Sequence, residues 1–139
     1  MATRDEIADA IASMAIFADL ARPQLIGVAS RFEEAFFGKD QKVLRQGLTG
    51  SGFYVIMDGE ADVVADGKKL ATLARGDFFG EVSVLLGEPP TADIVATRPL
   101  RCIVLGGPAL ESFLVDYPRV SYRMLQAMAR RLRNSNARR

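Results

Sequence analysis

The side chains best suited to chemistry fall in one stretch, Gly76-Asp77-Phe78-Phe79-Gly80-Glu81-Val82-Ser83-Val84-Leu85-Leu86-Gly87-Glu88-Pro89-Pro90-Thr91-Ala92. Glu81 is an acid inside an otherwise apolar run, and a carboxylate taken out of water needs partners. Ionised, it only accepts hydrogen bonds, which suits one or two sugar hydroxyls. Gly80, beside it, lets the main chain approach a ligand closely. If Val82 to Leu86 turn helically, the amides around Ser83 face the same space and favour an anion. A sugar phosphate satisfies both ends of this arrangement. Glu81 has two plainer uses as well, capping a short helix or pairing with an internal arginine, and spacing alone leaves them open.

The elements that hold this stretch are legible around it. Thr3 and Glu6 form a capping box ahead of a first helix with Ile7, Ala10, Ile11 and Met14 on one face. Pro23 opens a second helix with Leu25, Ile26, Ala29 and Phe32 on its apolar side, and Gly38 closes a helical region spanning 1–38. From residue 39 to 106 the chain reads as short strands. Val43-Leu44-Arg45 precedes a polar, glycine-rich loop, Gln46 to Gly52. Phe53 to Met57 is strongly β-prone, and Asp58-Gly59 and Asp66-Gly67 are hairpin signatures. Lys68 to Leu73, Ile94 to Ala96 and Leu100 to Leu105 supply further strands. Their spacing predicts a small sandwich, barrel or roll. Gly80 to Gly87 predicts one or two helical turns, and Glu88-Pro89-Pro90-Thr91 a loop. The region 107–139 is helical. A short helix runs from Ala109 to Tyr117, and a long one opens at Pro118 with Val120, Met124, Leu125, Met128 and Leu132 as its apolar stripe.

Composition narrows the chemistry. The 139 residues include no histidine, which removes histidine triads, imidazole proton shuttles and imidazole metal sites. A metal-dependent roll of the cupin kind loses its usual ligands for the same reason. The lone cysteine, Cys102, forms no internal disulfide and reads as a small core residue. No run is long and apolar enough to span a membrane, and Asp5, Glu6 and Asp9 interrupt any leader-like stretch. A cytoplasmic, non-enzymatic protein is expected. The net charge of +1 hides an asymmetry. Seven arginines and no acids lie from Pro118 to Arg139, while the preceding 117 residues carry 11 basic and 17 acidic side chains. The basic helix suits solvent and its own dipole, or a docking surface for an acidic partner or nucleic acid.

On these residues the chain resembles the cyclic nucleotide-binding domain family, the effector module of bacterial transcription regulators, cyclic-nucleotide-dependent kinases and gated channels. The resemblance rests on Gly47, Gly59 and Gly80, and on a phosphate-binding cassette over Phe79-Gly80-Glu81-Val82-Ser83-Val84-Leu85. It implies one domain over 1–139, mainly β with flanking helices: a jelly-roll-like β-roll, or double-stranded β-helix, with a long C-terminal helix as a mobile lid. It further implies that Glu81 accepts from a ribose 2′-hydroxyl. Amides of Gly80, Val82 and Ser83 would meet the phosphate, and Thr91 would contact phosphate or base. The ligand would be cyclic AMP or cyclic GMP, with no other cofactor and no metal.

One position departs from that pattern. The family's arginine, which pairs with the cyclic phosphate, falls where this chain has Pro90. A charge-assisted hydrogen bond contributes about 1.5–3 kcal/mol, so its loss weakens binding roughly 10- to 150-fold. Asp93 is expected on the same strand face as Thr91, where it would repel phosphate further. Arg45, Arg75 and Arg98 are the candidates to supply charge from elsewhere. The expected function is a regulatory sensor of cyclic nucleotides that signals through its last helix. The alternative is a degenerate domain of the same fold that binds them poorly and serves protein contacts or another small ligand. A homodimer through Val120, Met124, Met128 and Leu132 is expected. No helix-turn-helix after the long helix, and no sequence-specific DNA binding by this chain, are expected.

Overall fold

The computed structural model describes residues 2–48 and 52–137. Thr49, Gly50 and Ser51 of the glycine-rich loop, and Arg138 and Arg139 of the basic tail, lie outside the described residues. Two helices come first, α1 (Arg4–Ile11) and α2 (Arg22–Arg31), joined through a 3-10 turn at Ala15–Phe17. The strands are β1 (Glu33–Phe37), β2 (Lys42–Leu44), β3 (Gly52–Asp58), β4 (Ala61–Ala65), β5 (Lys68–Leu73), β6 (Phe78–Phe79), β7 (Asp93–Ala96) and β8 (Leu100–Gly106). A helix α3 (Glu81–Leu86) interrupts them, and α4 (Leu110–Asp116) and α5 (Pro118–Ala137) end the described chain. The strands form two antiparallel sheets, β1-β8-β3-β6 and β2-β7-β4-β5. This is the expected mainly-β roll with flanking helices.

Alternation along the strands builds two cores. Phe53, Val55 and Met57 of β3, with Ile103 and Leu105 of β8, face the helices, where they meet Phe17, Val28, Phe113, Val120 and Met124. The intervening Ile56 and Cys102 face the other sheet and pack with Leu44, Leu73, Ile94 and Ala96 inside the roll. Period-two side-chain direction makes this division unavoidable once β3 and β8 are central strands. Phe78 and Phe79 divide in the same way, the first into the helical core and the second into the roll.

The first helix has the expected cap: Thr3 accepts from the Glu6 amide at 3.2 Å and Glu6 accepts from the Thr3 amide at 3.2 Å. The Asp66-Gly67 hairpin is also as expected, with both residues at positive φ (52° and 77°) between β4 and β5. Two expectations are corrected. The helical region stops at Arg31 rather than Gly38, because Glu33–Phe37 pairs along its length with β8 and tertiary pairing overrides local propensity. Asp58-Gly59 is not a hairpin turn. It carries the chain from β3 in one sheet to β4 in the other. Gly59 takes φ 97°, and a Cβ there would come within 3.0 Å of the Pro99 carbonyl oxygen.

The long helix α5 lies against the body through Val120 and Met124, with Met128 partly covered. Leu125, expected on the apolar stripe, is instead exposed, as is Leu132. The covered face runs Val120, Met124, Ala127, Met128 and on to Arg131. Near its start, Asp19 accepts from both Arg119 (2.9 Å) and Arg123 (2.8 Å). These arginines hold the Asp19 carboxyl well below the usual carboxylate range, Arg123 contributing most.

Candidate functional site

The cassette is built by two left-handed glycines around a six-residue helix. Gly80 (φ 92°) precedes α3, and Gly87 (φ 65°) ends it with its amide donating to the Ser83 and Val84 carbonyls. Gly80 is required on steric grounds, since a Cβ would fall within 3.0 Å of the Gly52 carbonyl oxygen of β3. The ring of Phe79 stacks on Tyr54, with centroids 4.8 Å apart. Ser83 closes the far end by donating its hydroxyl to the Glu88 carbonyl. Pro90 is buried, and its carbonyl accepts from the Gly47 amide at 2.9 Å, which ties the glycine-rich loop to the cassette.

These segments surround a cavity of about 610 Å³ opening between α3, β5 and α5. Gly80, Glu81, Val82, Ser83 and Thr91, the five residues anticipated from the sequence, all lie on its wall. Apolar residues of the roll, among them Leu73, Phe79 and Ile94, form its floor. Glu81 is only 2% exposed. Its Oε1 lies 3.3 Å from Nη1 of Arg131, and its Oε2 is buried without a hydrogen-bond partner among the described residues. Burial pushes the Glu81 carboxyl up from its ordinary value, opposed by the Arg131 charge. A buried acceptor left open beside a cavity is costly unless something donates to it.

Arg131 escaped the sequence reading, which placed it in a basic tail. Its Nη2 donates to the Phe78 carbonyl at 2.6 Å, and its guanidinium lies 4.3 Å from the centre of the Phe78 ring. The helical spacing Val120, Met124, Ala127 or Met128, Arg131, Asn134 or Ser135 was the sign that could have found it, because the stripe that buries α5 leads straight to the cavity. The internal-arginine use of Glu81, left open by spacing, is therefore present alongside the open oxygen.

None of the three arginines named as candidates to supply charge, Arg45, Arg75 and Arg98, lines the cavity. Arg75 donates to the carbonyls of Met57 (3.0 Å) and Ala10 (2.7 Å), and Arg98 pairs with Glu60. The expected repulsion from Asp93 is also corrected. Asp93 turns toward β2, where it accepts from the Gln46 amide at 2.7 Å and pairs with Lys42 at 3.2 Å. The Gln46 amide chiefly, then Lys42, keep its carboxyl below the ordinary value. Cys102 is fully buried in the roll, and burial pushes its thiol up to about 12, as befits a core residue. Among the described residues no helix is long and apolar enough to cross a membrane.

Comparison with known proteins follows the same lines. The model of the cyclic nucleotide-binding domain matches residues 34–117, from β1 through α4. A cGMP-dependent protein kinase of Plasmodium berghei (strain Anka) is 33% identical over 87 residues, which is 63% of this chain and 10% of that protein. The chain thus spans about a tenth of that curated relative. Among solved structures, a cyclic nucleotide-binding domain from Methylobacillus flagellatus KT superposes with a TM-score of 0.82 at 27% identity, covering 97% of this chain and 81% of that one. The Thermus thermophilus catabolite activator protein superposes with a TM-score of 0.80 at 24% identity over 89% of this chain and 61% of its own, a likeness of fold.

Proposed function

Because the chain belongs to the cyclic nucleotide-binding domain family, we propose that its cavity takes a cyclic nucleotide, cyclic AMP or cyclic GMP, and that the domain is a non-catalytic sensor. One observation carries the reading: Oε2 of Glu81, buried on the wall of a cavity of about 610 Å³ and unpartnered among the described residues. Cavities of roughly 300–1,000 Å³ suit small organic ligands. A ribose hydroxyl donating to Oε2 satisfies the open acceptor and offsets part of the burial cost. The phosphate then lies toward the main chain of Gly80, Val82 and Ser83, with Thr91 at the rim. The match to a cGMP-dependent kinase supports the ligand class.

Signal transfer in this reading runs through α5, which touches the cavity through Arg131, Asn134 and Ser135. It requires that ligand bind two positions of α5 with different affinity. Val120 and Met124 are committed to the chain's own core, so a second copy would be met through the exposed Leu125 and Leu132 instead. A cytoplasmic setting suits the single buried thiol.

Titration calorimetry with cyclic AMP and cyclic GMP tests the reading. Saturable heat from the unaltered chain, weakened about 10- to 150-fold in Glu81→Ala, is expected for loss of a hydrogen bond to a charged group. No heat at millimolar nucleotide refutes it. Pro90 favours a second reading, because it stands on the cavity wall where the family carries arginine. Under that reading the domain binds cyclic nucleotides poorly and takes an uncharged ligand or a protein partner. Equal affinity for a nucleoside and its cyclic phosphate would single it out.

A further inference from the structure

We infer that Arg131, delivered by α5, is the cation that holds the ligand's phosphate, in place of a cassette arginine. The inference rests on the cyclic nucleotide reading above. It starts from the charges on the cavity wall. Among the described residues the wall carries three acids, Asp77, Glu81 and Glu88, and a single cationic side chain, Arg131. An anion entering a site of that balance is repelled unless the guanidinium receives it. The Asp77 carboxylate is turned to the Ala74 amide at 2.9 Å and Glu88 is exposed to solvent, which leaves Glu81 and Arg131 as the central pair.

Arg131 is also prepared for the task. Its fork is fixed from two sides by the Phe78 carbonyl and the Glu81 carboxylate, and from below by the Phe78 ring. Those contacts use two of its five N–H donors, so others remain for a ligand. A guanidinium can hold a carboxylate and a phosphate oxygen together, since its donors lie in one rigid plane. A cyclic nucleotide places its 2′-hydroxyl and its phosphate on one compact ring system. Hydroxyl to Glu81 therefore brings phosphate within the neighbourhood of Arg131. Arg131 stands on α5, beyond residues 34–117 that the family model matches.

The test compares Arg131→Gln with the unaltered chain. Glutamine keeps a donor for the Phe78 carbonyl and removes the charge. Affinity for cyclic AMP and cyclic GMP is measured beside that for adenosine and guanosine, with thermal melting to confirm the fold. The expected result is a loss of about 10- to 100-fold for the cyclic nucleotides with nucleoside affinity unchanged. Cyclic nucleotide affinity should also fall with added salt in the unaltered chain and less steeply in Arg131→Gln. Arg131→Lys should restore part of the loss. Cyclic nucleotide affinity that is unchanged or higher in Arg131→Gln overturns the inference and leaves the ligand reading standing. An equal loss for nucleotide and nucleoside does the same, because it marks a lid or base contact. Absence of cyclic nucleotide binding by the unaltered chain overturns both.

Discussion

Replacing Glu81 by methionine should make the ligand-free protein more stable while weakening the proposed cyclic nucleotide binding about 10- to 150-fold. Glu81 is 2% exposed and its Oε2 has no partner among the described residues, a state that costs about 1–3 kcal/mol for a buried polar atom. Methionine matches its length and brings no acceptor. Two contributions oppose the gain. The pair with Arg131, whose side chain is 38% exposed, is screened by water and contributes about 0–1 kcal/mol. The acid in the first turn of α3 contributes about 0.3 kcal/mol, the low end for a helix of only six residues. The balance favours methionine by about 1 kcal/mol, or roughly 3–5 °C in melting temperature for a domain of this size. The pH dependence supplies an internal check. Burial raises the folded pKa of Glu81 above its ordinary value of 4.5, so the folded state keeps a proton that the unfolded chain has lost. Stability of the unaltered protein therefore falls as pH rises through that window and is recovered on acidification. The advantage of Glu81→Met should be widest at neutral pH and narrow toward pH 4.5. Calorimetric or circular dichroism melts across this range decide it. A variant that melts below the unaltered protein at pH 7, or an advantage that grows on acidification, would refute the argument.

Other substitutions probe the remaining geometry. Gly80→Ala should destabilise by about 2 kcal/mol or more, since a left-handed backbone alone costs about 1–2 kcal/mol and the Gly52 carbonyl must also move; chemical denaturation measures it. Pro90→Arg places a second cation on the cavity wall and should tighten cyclic nucleotide binding about tenfold or more by calorimetry; no gain would mean the wall cannot present it. Asp19→Asn should loosen the start of α5, seen as faster amide exchange near Arg119 and Arg123. Because Asp19's folded pKa is depressed, its contribution is complete above the ordinary value of 3.8 and is lost as pH falls below it. The unaltered protein and Asp19→Asn should converge in that acid range.

Most of the local structure was legible because its causes are local. The Thr3–Glu6 box, the Asp66-Gly67 hairpin and the glycine-bounded turn at Gly80 and Gly87 each follow from neighbours in sequence. The β1 strand was not, because Glu33-Glu34-Ala35-Phe36-Phe37 becomes a strand through β8, some 65 residues away. Sheet switching at Gly59 likewise depends on which partners β3 and β4 find, and a dipeptide cannot state that. At the site, the cassette residues share a segment and could be named together. Arg131 reaches Glu81 across 50 residues, so its role stayed hidden among seven arginines until α5 was docked. Asp93 misled for the opposite reason, since period-two alternation puts it beside Thr91 only if the strand begins there, and β7 begins at Asp93 itself.

The split between Phe78 and Phe79 makes adjacent residues witnesses to separate interiors. A fluorine on the Phe79 ring senses whatever enters the roll, while one on Phe78 senses the guanidinium seated above it. Spectra from the two labels, recorded on one sample during a titration, would time the arrival of a guest against the response of the last helix without touching either side chain that binds it.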